Sequence, residues 1–281
     1  MKDYAYYNGT LTPYDSACIP LSDRSVFFAD AVYDVMIGYQ KNVYQFDKHF
    51  ERLQRNAERI GLHDIPSSDE IERSIDAILK VSESESFLLY IQLSANNSRR
   101  NHSREKGQTN ILLTVTEYTP PNMLKCVKAI TYPDIRYSMC DIKTTNLLPN
   151  VLSIEYAESE GVDMAIFHKN GTVTECANSN ISILNGNTLT MHPHDFSVLP
   201  GISEANLTYA AANFGLKCER RNFSISELYS ADTVFITSTT KLLRVCSHID
   251  KETLRIKNLH IAETLFDALK ADFTAKTGAF S

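Results

Sequence analysis

The chain has 281 residues, 43% hydrophobic and 22% charged, the proportions of an ordinary globular protein rather than a disordered or fibrous one. Lys and Arg number 28 against 34 for Asp and Glu, a net charge of -6, which argues against a nucleic-acid groove as the main binding surface. No run approaches the roughly 20 apolar residues of a membrane span, the first eight residues do not read as a leader, and the six cysteines are too scattered for a zinc site or a disulfide framework. The expectation is a cytoplasmic protein with free thiols, no metal and no membrane or nucleic-acid partner. Along the chain, Phe46, Phe50, Leu53, Ala57 and Ile60 recur at helical spacing and Gly61 stops them, which predicts a helix with His49, Arg52 and Asn56 on a more polar side. A second helix is predicted over Asp69 to Lys80, and strands over Phe87 to Leu93 and Ile111 to Glu117. Between those strands lies the polar stretch Asn96 to Gln108, with four basic side chains besides its histidine.

Thr119-Pro120-Pro121-Asn122 cannot continue a ladder or a helix interior. It divides the chain into a domain over 1–118, a linker over 119–124 and a domain over 125–281. Beyond it the pattern predicts a strand from Val127 to Tyr132, a helix from Val151 to Glu160, and strands from Met164 to His168 and Thr172 to Glu175. Those last two flank Lys169-Asn170-Gly171, a hairpin signal, and Asn185-Gly186 is another. A helix over Ser203 to Phe214, a buried strand over Asp232 to Ile236 and a terminal helix over Ile261 to Phe273 complete a mixed α+β or α/β chain. His192-Pro193-His194-Asp195 reads as a turn, since no further ligand-type cluster lies nearby for a metal.

Three features suit an anion. Gly201-Ile202-Ser203 opens a helix, whose first amides and Ser203 hydroxyl can meet phosphate oxygens or form an ordinary cap. Thr237 to Thr240 is the same kind of signal at a strand end, and Arg52 offers a guanidinium fork.

The segment Arg136-Tyr137-Ser138-Met139-Cys140-Asp141-Ile142-Lys143-Thr144-Thr145-Asn146-Leu147-Leu148 resembles the lysine motif of class IV, fold type IV pyridoxal-phosphate enzymes, and Thr172-Val173-Thr174-Glu175-Cys176-Ala177-Asn178-Ser179-Asn180 resembles their second signature. His49 to Leu53 is similar to the family's H-x-x-R-L helix, Leu199 to Ser203 to its L-x-G-I-T/S turn, and Asp30 to Val35 to its D-G-V-Y-E-V strand, with Ala31 for the usual glycine and Asp34 for the usual glutamate. The resemblance runs from about Tyr4 to Val245. It implies a two-domain fold type IV enzyme, with a small α/β N-terminal domain and a larger C-terminal pseudo-barrel domain, and pyridoxal 5'-phosphate as cofactor. Lys143 is then the catalytic residue that forms the Schiff base, Glu175 keeps the pyridine nitrogen protonated, and Arg52, Ile202, Ser203, Thr239 and Thr240 hold the phosphate. Ser179 and Asn180 also line the cofactor, and Tyr33 places its hydroxyl near cofactor and substrate.

Ser98-Arg99-Arg100-Asn101-His102 resembles the R-x-H element of D-amino acid aminotransferases. That resemblance assigns Arg100 and His102 to the substrate's α-carboxylate and implies a homodimer in which this loop completes the neighbouring subunit's site. In those enzymes an arginine and a glycine follow the preceding strand, where this chain has Ala95 and Asn96. Val26, Phe28 and Leu199 are the expected side-chain pocket. The implied reaction is a ping-pong transamination between a D-amino acid (D-alanine, D-glutamate or D-aspartate) and 2-oxoglutarate or pyruvate. A branched-chain L-amino acid aminotransferase, an (R)-amine transaminase, an aminodeoxychorismate lyase and a non-catalytic binding protein are the alternatives.

Overall fold

The computed structural model describes residues 3–279. It divides into two compact units, the first made of residues to Pro120 with Ile142–Asn146 and the end of the chain from Phe273, the second of Pro121–Asp141 and Leu147–Asp272. In the first unit, β1 (Tyr4–Tyr7), β2 (Thr10–Pro13), β3 (Ala31–Tyr39), β4 (Asn42–Val43), β5 (Ser86–Ser94) and β6 (Asn110–Glu117) form one antiparallel sheet in the order β2-β1-β6-β5-β3-β4. Its helices are α1 (Arg24–Phe28), α2 (Phe46–Arg59) and α3 (Ser68–Val81).

The apolar spacing of α2 buries Phe50, Leu53 and Ala57 in a core shared with Val32, Met36, Ile71, Ile75, Leu89 and Ile91. The stripe continues further round the helix than the sequence suggests, because His49, Arg52 and Asn56 are buried too. Charged and imidazole groups withdrawn from water need partners, and those partners come from β3. Gly61 takes a left-handed φ of 72° where α2 stops, a conformation that costs little without a Cβ.

The second unit contains β7 (Lys125–Pro133), α4 (Leu148–Ser159), β8 (Met164–Lys169), β9 (Thr172–Cys176), β10 (Asn180–Asn185), β11 (Thr188–Met191), α5 (Ile202–Asn213), β12 (Lys217–Arg220), α6 (Ile225–Ser230), β13 (Thr233–Ser238), β14 (Leu242–Ile249) and β15 (Glu252–Thr253). The strands form a mixed sheet in the order β12-β11-β10-β13-β14-β7-β8-β9, with β15 beside β14. Helix α7 (Leu259–Thr277) closes the chain. At the β8–β9 hairpin both Asn170 (φ 52°) and Gly171 (φ 81°) are left-handed, as a two-residue turn matched to strand twist requires.

Two segments that the linear division groups with the C-terminal domain pack in the first unit. Residues 142–146 lie along β3: Tyr33 N donates to Lys143 O at 2.9 Å, Thr145 N to Ala31 O at 3.2 Å, Val32 bridges Thr144, and Ile142 enters the core. At the C-terminus, Phe273 packs edge-on against Tyr44 at 5.1 Å and Asn42 Nδ2 donates to Thr277 O at 3.1 Å. Main-chain pairing with β3 sets the course of residues 142–146, and such pairing leaves no mark on sequence periodicity.

Candidate active site

The residues singled out above fall into two groups, one per unit. In the first, the docking of 142–146 on β3 brings Lys143 to Tyr33, with Nζ 4.3 Å from the ring centroid. The Tyr33 ring stacks in turn on Tyr90 at 5.4 Å, and Tyr90 donates its hydroxyl to Gln92 at 2.7 Å. Lys143 has no carboxylate partner among the described residues, so its amine is not committed to an ion pair.

Next to Tyr33 on the same strand, Asp34 is fully buried. Arg52 Nε donates to Asp34 Oδ2 at 2.8 Å and Nη2 to Oδ1 at 2.7 Å, while His49 Nδ1 lies 2.8 Å from Oδ1. Burial opposes ionisation of Asp34, yet Arg52 and His49 outweigh it and hold the carboxyl far below its usual range. An ionised carboxylate only accepts hydrogen bonds, so Nδ1 of His49 carries the proton that bridges them. Burial is also the main influence on His49, and with the charges of Arg52 and Lys143 it overcomes Asp34 and lowers the imidazole's pKa. The sequence assigns Arg52 to a phosphate; in the structure two of its donors hold Asp34, which locks the guanidinium's plane and position.

In the second unit Glu175, on β9, is held at both oxygens. Arg136 Nη1 pairs with Oε1, and Oε2 accepts from Leu199 N at 3.1 Å and Asn180 Nδ2 at 3.2 Å. Arg136 is gripped from behind: Nε and Nη2 donate to Asp134 at 2.9 and 2.8 Å, Nη2 donates to Ser197 O at 3.0 Å, and the guanidinium lies 4.5 Å from the Phe167 ring. Thr174 Oγ1 adds a bond to Asp134 at 2.8 Å. Burial opposes the charge of Asp134, but Arg136 outweighs it and lowers that carboxyl's pKa. Burial likewise pushes the nearby Cys140 thiol up to about 11, so it stays protonated at neutral pH.

The antiparallel register of β10 with β13 pairs Asn180 with Thr237, which puts Ser179 and Asn180 at the same sheet end as Thr239 and Thr240. Ser179 donates to Asn178 Oδ1 at 3.0 Å. Helix α5 packs on β13 and starts at Gly201 without a side-chain cap, whereas α3 and α6 both open on reciprocal capping boxes, Ser67 with Glu70 and Ser224 with Glu227. An uncapped helix start leaves its first amides for an anion. Glu204 in the same turn does not compete for them, because Arg220 at 2.9 Å and His194 at 3.1 Å hold its carboxylate. Gly201 has a different reason for lacking a side chain: a Cβ there would overlap Asn180 Oδ1. Asn180 also donates to Leu199 O at 2.8 Å, so one amide ties Glu175 to the turn before α5.

Arg100 and His102 are exposed on the first unit's long loop and rest on Phe28, with the guanidinium 5.4 Å and the imidazole 5.3 Å from its ring. Val26 is exposed, Phe28 is half-buried beneath these side chains, and Leu199 contributes its main chain to Glu175. Sequence reasoning missed Asp134 and Arg136. Asp134 stands two residues before Arg136, where the lysine motif begins, and that spacing is the only local sign, since Arg136 lies 39 residues from Glu175.

These features match known proteins closely enough to place the chain. The family model for amino-transferase class IV matches residues 31–249, and the chain belongs to that family. It is 31% identical over 254 residues to the D-alanine aminotransferase of Bacillus licheniformis, covering 88% of this chain and 89% of that protein, and 30% identical over 249 residues to that of Listeria monocytogenes, covering 86% of each. Among solved structures it resembles the branched-chain aminotransferase of Thermoproteus uzoniensis, with a TM-score of 0.86 at 20% identity over 97% of both chains. The branched-chain amino acid aminotransferase of Escherichia coli is similar, with a TM-score of 0.86 at 19% identity over 100% of this chain and 96% of that one. The fold is therefore the two-domain fold type IV architecture, and the cofactor of the family is pyridoxal 5'-phosphate.

The chain's residues fit that cofactor. The uncapped start of α5 suits a phosphate, the uncommitted Lys143 amine suits an aldehyde, and the fixed Glu175 carboxylate suits a protonated ring nitrogen.

Proposed function

We propose that the chain is a D-amino acid aminotransferase, which moves the amino group of D-alanine, D-glutamate or D-aspartate to 2-oxoglutarate or pyruvate in ping-pong fashion, as a cytoplasmic homodimer. The observation that carries this reading is the Arg100-Asn101-His102 element in a chain whose 31% identical relative is a D-alanine aminotransferase. A carboxylate leaving water needs a charged or bidentate donor, and this loop presents a guanidinium and an imidazole on one aromatic support.

When bound, pyridoxal phosphate supplies an electron sink that makes the substrate's α-hydrogen acidic. With the cofactor bound, Lys143 Nζ would be the base that takes up the substrate's α-proton, and the pairing of its main chain with β3 fixes the amine's origin. Glu175, its orientation set by Arg136, Asn180 and Leu199 N, holds the proton at the ring nitrogen. Ile202, Ser203, Thr239, Thr240 and Arg52 hold the phosphate, Ser179 and Asn180 line the cofactor, and Tyr33 orders Lys143 and the substrate end. Val26, Phe28 and Leu199 are proposed to border the substrate side chain.

Two features support the dimer. Arg100 and His102 face outward, as side chains serving a neighbouring site do. Leu148, Val151, Leu152 and Tyr156 leave an apolar stripe exposed along α4, which a second subunit would cover. Among the described residues no helix is long and apolar enough to cross a membrane.

The deciding experiment is the visible spectrum of the holoenzyme mixed separately with D-alanine and L-leucine, with no oxo acid present. Conversion to the pyridoxamine form by D-alanine alone is expected. Conversion by L-leucine alone overturns the reading in favour of a branched-chain enzyme, and release of pyruvate from aminodeoxychorismate would place the chain among lyases. Mixing inactive Lys143→Ala chains with Arg100→Ala chains, whose KM for D-alanine is raised, should yield sites with the normal KM if the loop serves the partner's site.

A further inference from the structure

The 96–108 loop is long, polar and without regular structure, yet it is anchored by a cluster outside both cofactor groups. Asp30, just before β3, receives Arg24 Nε at 2.7 Å and Arg104 Nε at 2.8 Å on one oxygen and Arg104 Nη2 on the other. Both arginines spend their remaining donors on main-chain carbonyls. Arg24 Nη1 donates to Asn101 O at 2.6 Å and Nη2 to His102 O at 3.2 Å, while Arg104 Nη1 donates to Ile60 O and, at 3.1 Å, to Gly61 O, where α2 ends. Burial opposes ionisation of Asp30, but the two guanidiniums outweigh it and keep the carboxyl below its usual range.

Arg24 is only 4% exposed, unusual for an arginine on a five-residue helix. Its guanidinium lies 4.7 Å from the Phe28 ring, the same ring that supports Arg100 and His102. One carboxylate thus fixes two arginines: Arg24 grips the peptide that carries His102 and follows Arg100, and Arg104 ties the far side of the loop to α2. A loop held in its binding shape does not lose its conformational entropy each time a substrate arrives.

We propose that Arg24 and Arg104, joined through Asp30, are positioning residues that hold Arg100 and His102 in the orientation that receives the substrate's α-carboxylate. This rests on the reading of Arg100 and His102 given above. Main-chain bonds from Ala95 N to Asp30 O at 3.0 Å and from Ser98 N to Ser22 O at 2.9 Å hold the start of the loop, and the clamp adds anchors at Asn101, His102 and Arg104.

The test uses the holoenzyme with Arg24→Lys, which keeps the charge but cannot reach Asp30 and two carbonyls at once. KM for D-alanine should rise about tenfold or more with kcat little changed. The half-reaction with D-alaninol, which lacks the carboxylate, should keep its rate, and the cofactor band should be unaltered. Arg104→Ala, at a more exposed position, should shift KM in the same direction and serves if Arg24→Lys does not fold. In an Arg100→Ala/His102→Ala background, Arg24→Lys should have no further effect on kcat/KM. An equal loss in that background, or an equal loss with D-alaninol, overturns the clamp while leaving the carboxylate reading intact. If Arg100→Ala/His102→Ala itself leaves the KM for D-alanine unchanged, the carboxylate reading fails and the clamp has nothing to position.

Discussion

Each unit buries an arginine–carboxylate cluster, and the two have opposite stoichiometry. In the first, one carboxylate, Asp34, meets Arg52 and His49; in the second, one guanidinium, Arg136, meets Asp134 and Glu175. The extra member of the first cluster is an imidazole, which can be neutral, so the cluster balances its own charge. The extra member of the second is a carboxylate, so a negative charge is left over. The same chemistry of fork and carboxylate therefore produces a locked scaffold in one unit and a poised counter-charge in the other, suited to a protonated ring nitrogen.

The sharpest way to break that comparison is to neutralise one carboxylate in each cluster. Asp34→Asn removes the buried carboxylate that two donors of Arg52 hold, and a loss of about 3–5 kcal/mol of stability is expected, read from denaturant melts. Glu175→Gln should cost less stability, because Asp134 still pairs with Arg136, but should lower kcat by roughly 10²–10³-fold and shift the cofactor's absorption. Equal stability losses would mean that both clusters are scaffold. A third variant tests the link between Glu175 and the α5 turn: Gly201→Ala drives a methyl group into Asn180 Oδ1. It should cost about 1–3 kcal/mol, as overpacking does, and weaken pyridoxal phosphate binding by the apoenzyme, measured by titration. Unchanged binding would show that Asn180 does not couple the two.

How much of this could be read from the sequence depended on how local each signal is. The α2 helix follows from apolar spacing, and Lys143 and Glu175 stand inside contiguous motifs. Arg136 is also close to Lys143 in sequence, but its role exists only once β9 brings Glu175 against it, and no spacing rule encodes that. The two compact units part at Pro120 and Pro121, while residues 142–146 join the first unit largely through main-chain hydrogen bonds to β3, which sequence periodicity does not encode. The burial of His49 and Arg52 on the polar side of α2 was hidden for a related reason: a polar side chain is read as solvent-facing unless its partner is known, and theirs is on a different element. The capping boxes at Ser67 and Ser224 have a readable S-x-x-E pattern, and their presence gave the uncapped start of α5 its meaning.

The smallest expected effect separates the clusters by pH. His49 is buried with its pKa lowered in the folded chain, while the unfolded chain protonates its histidines near the ordinary imidazole pKa of about 6.5. Below that pH the unfolded state binds a proton that the folded state refuses, so stability falls as pH falls, by at most about 1.4 kcal/mol per pH unit for one group until the folded pKa is reached. Asp34 adds nothing in this window, because its folded pKa is depressed and its contribution is lost only in stronger acid, below the ordinary carboxylate range. The second cluster has no imidazole and supplies no such slope. Thermal melts between pH 7 and pH 5 should therefore show a falling Tm whose slope is reduced in His49→Gln, where the amide can still donate to Asp34, and kept in Glu175→Gln. A slope that survives His49→Gln would assign the titration to another group and remove the neutral imidazole from the account of how the Asp34 cluster balances its charge.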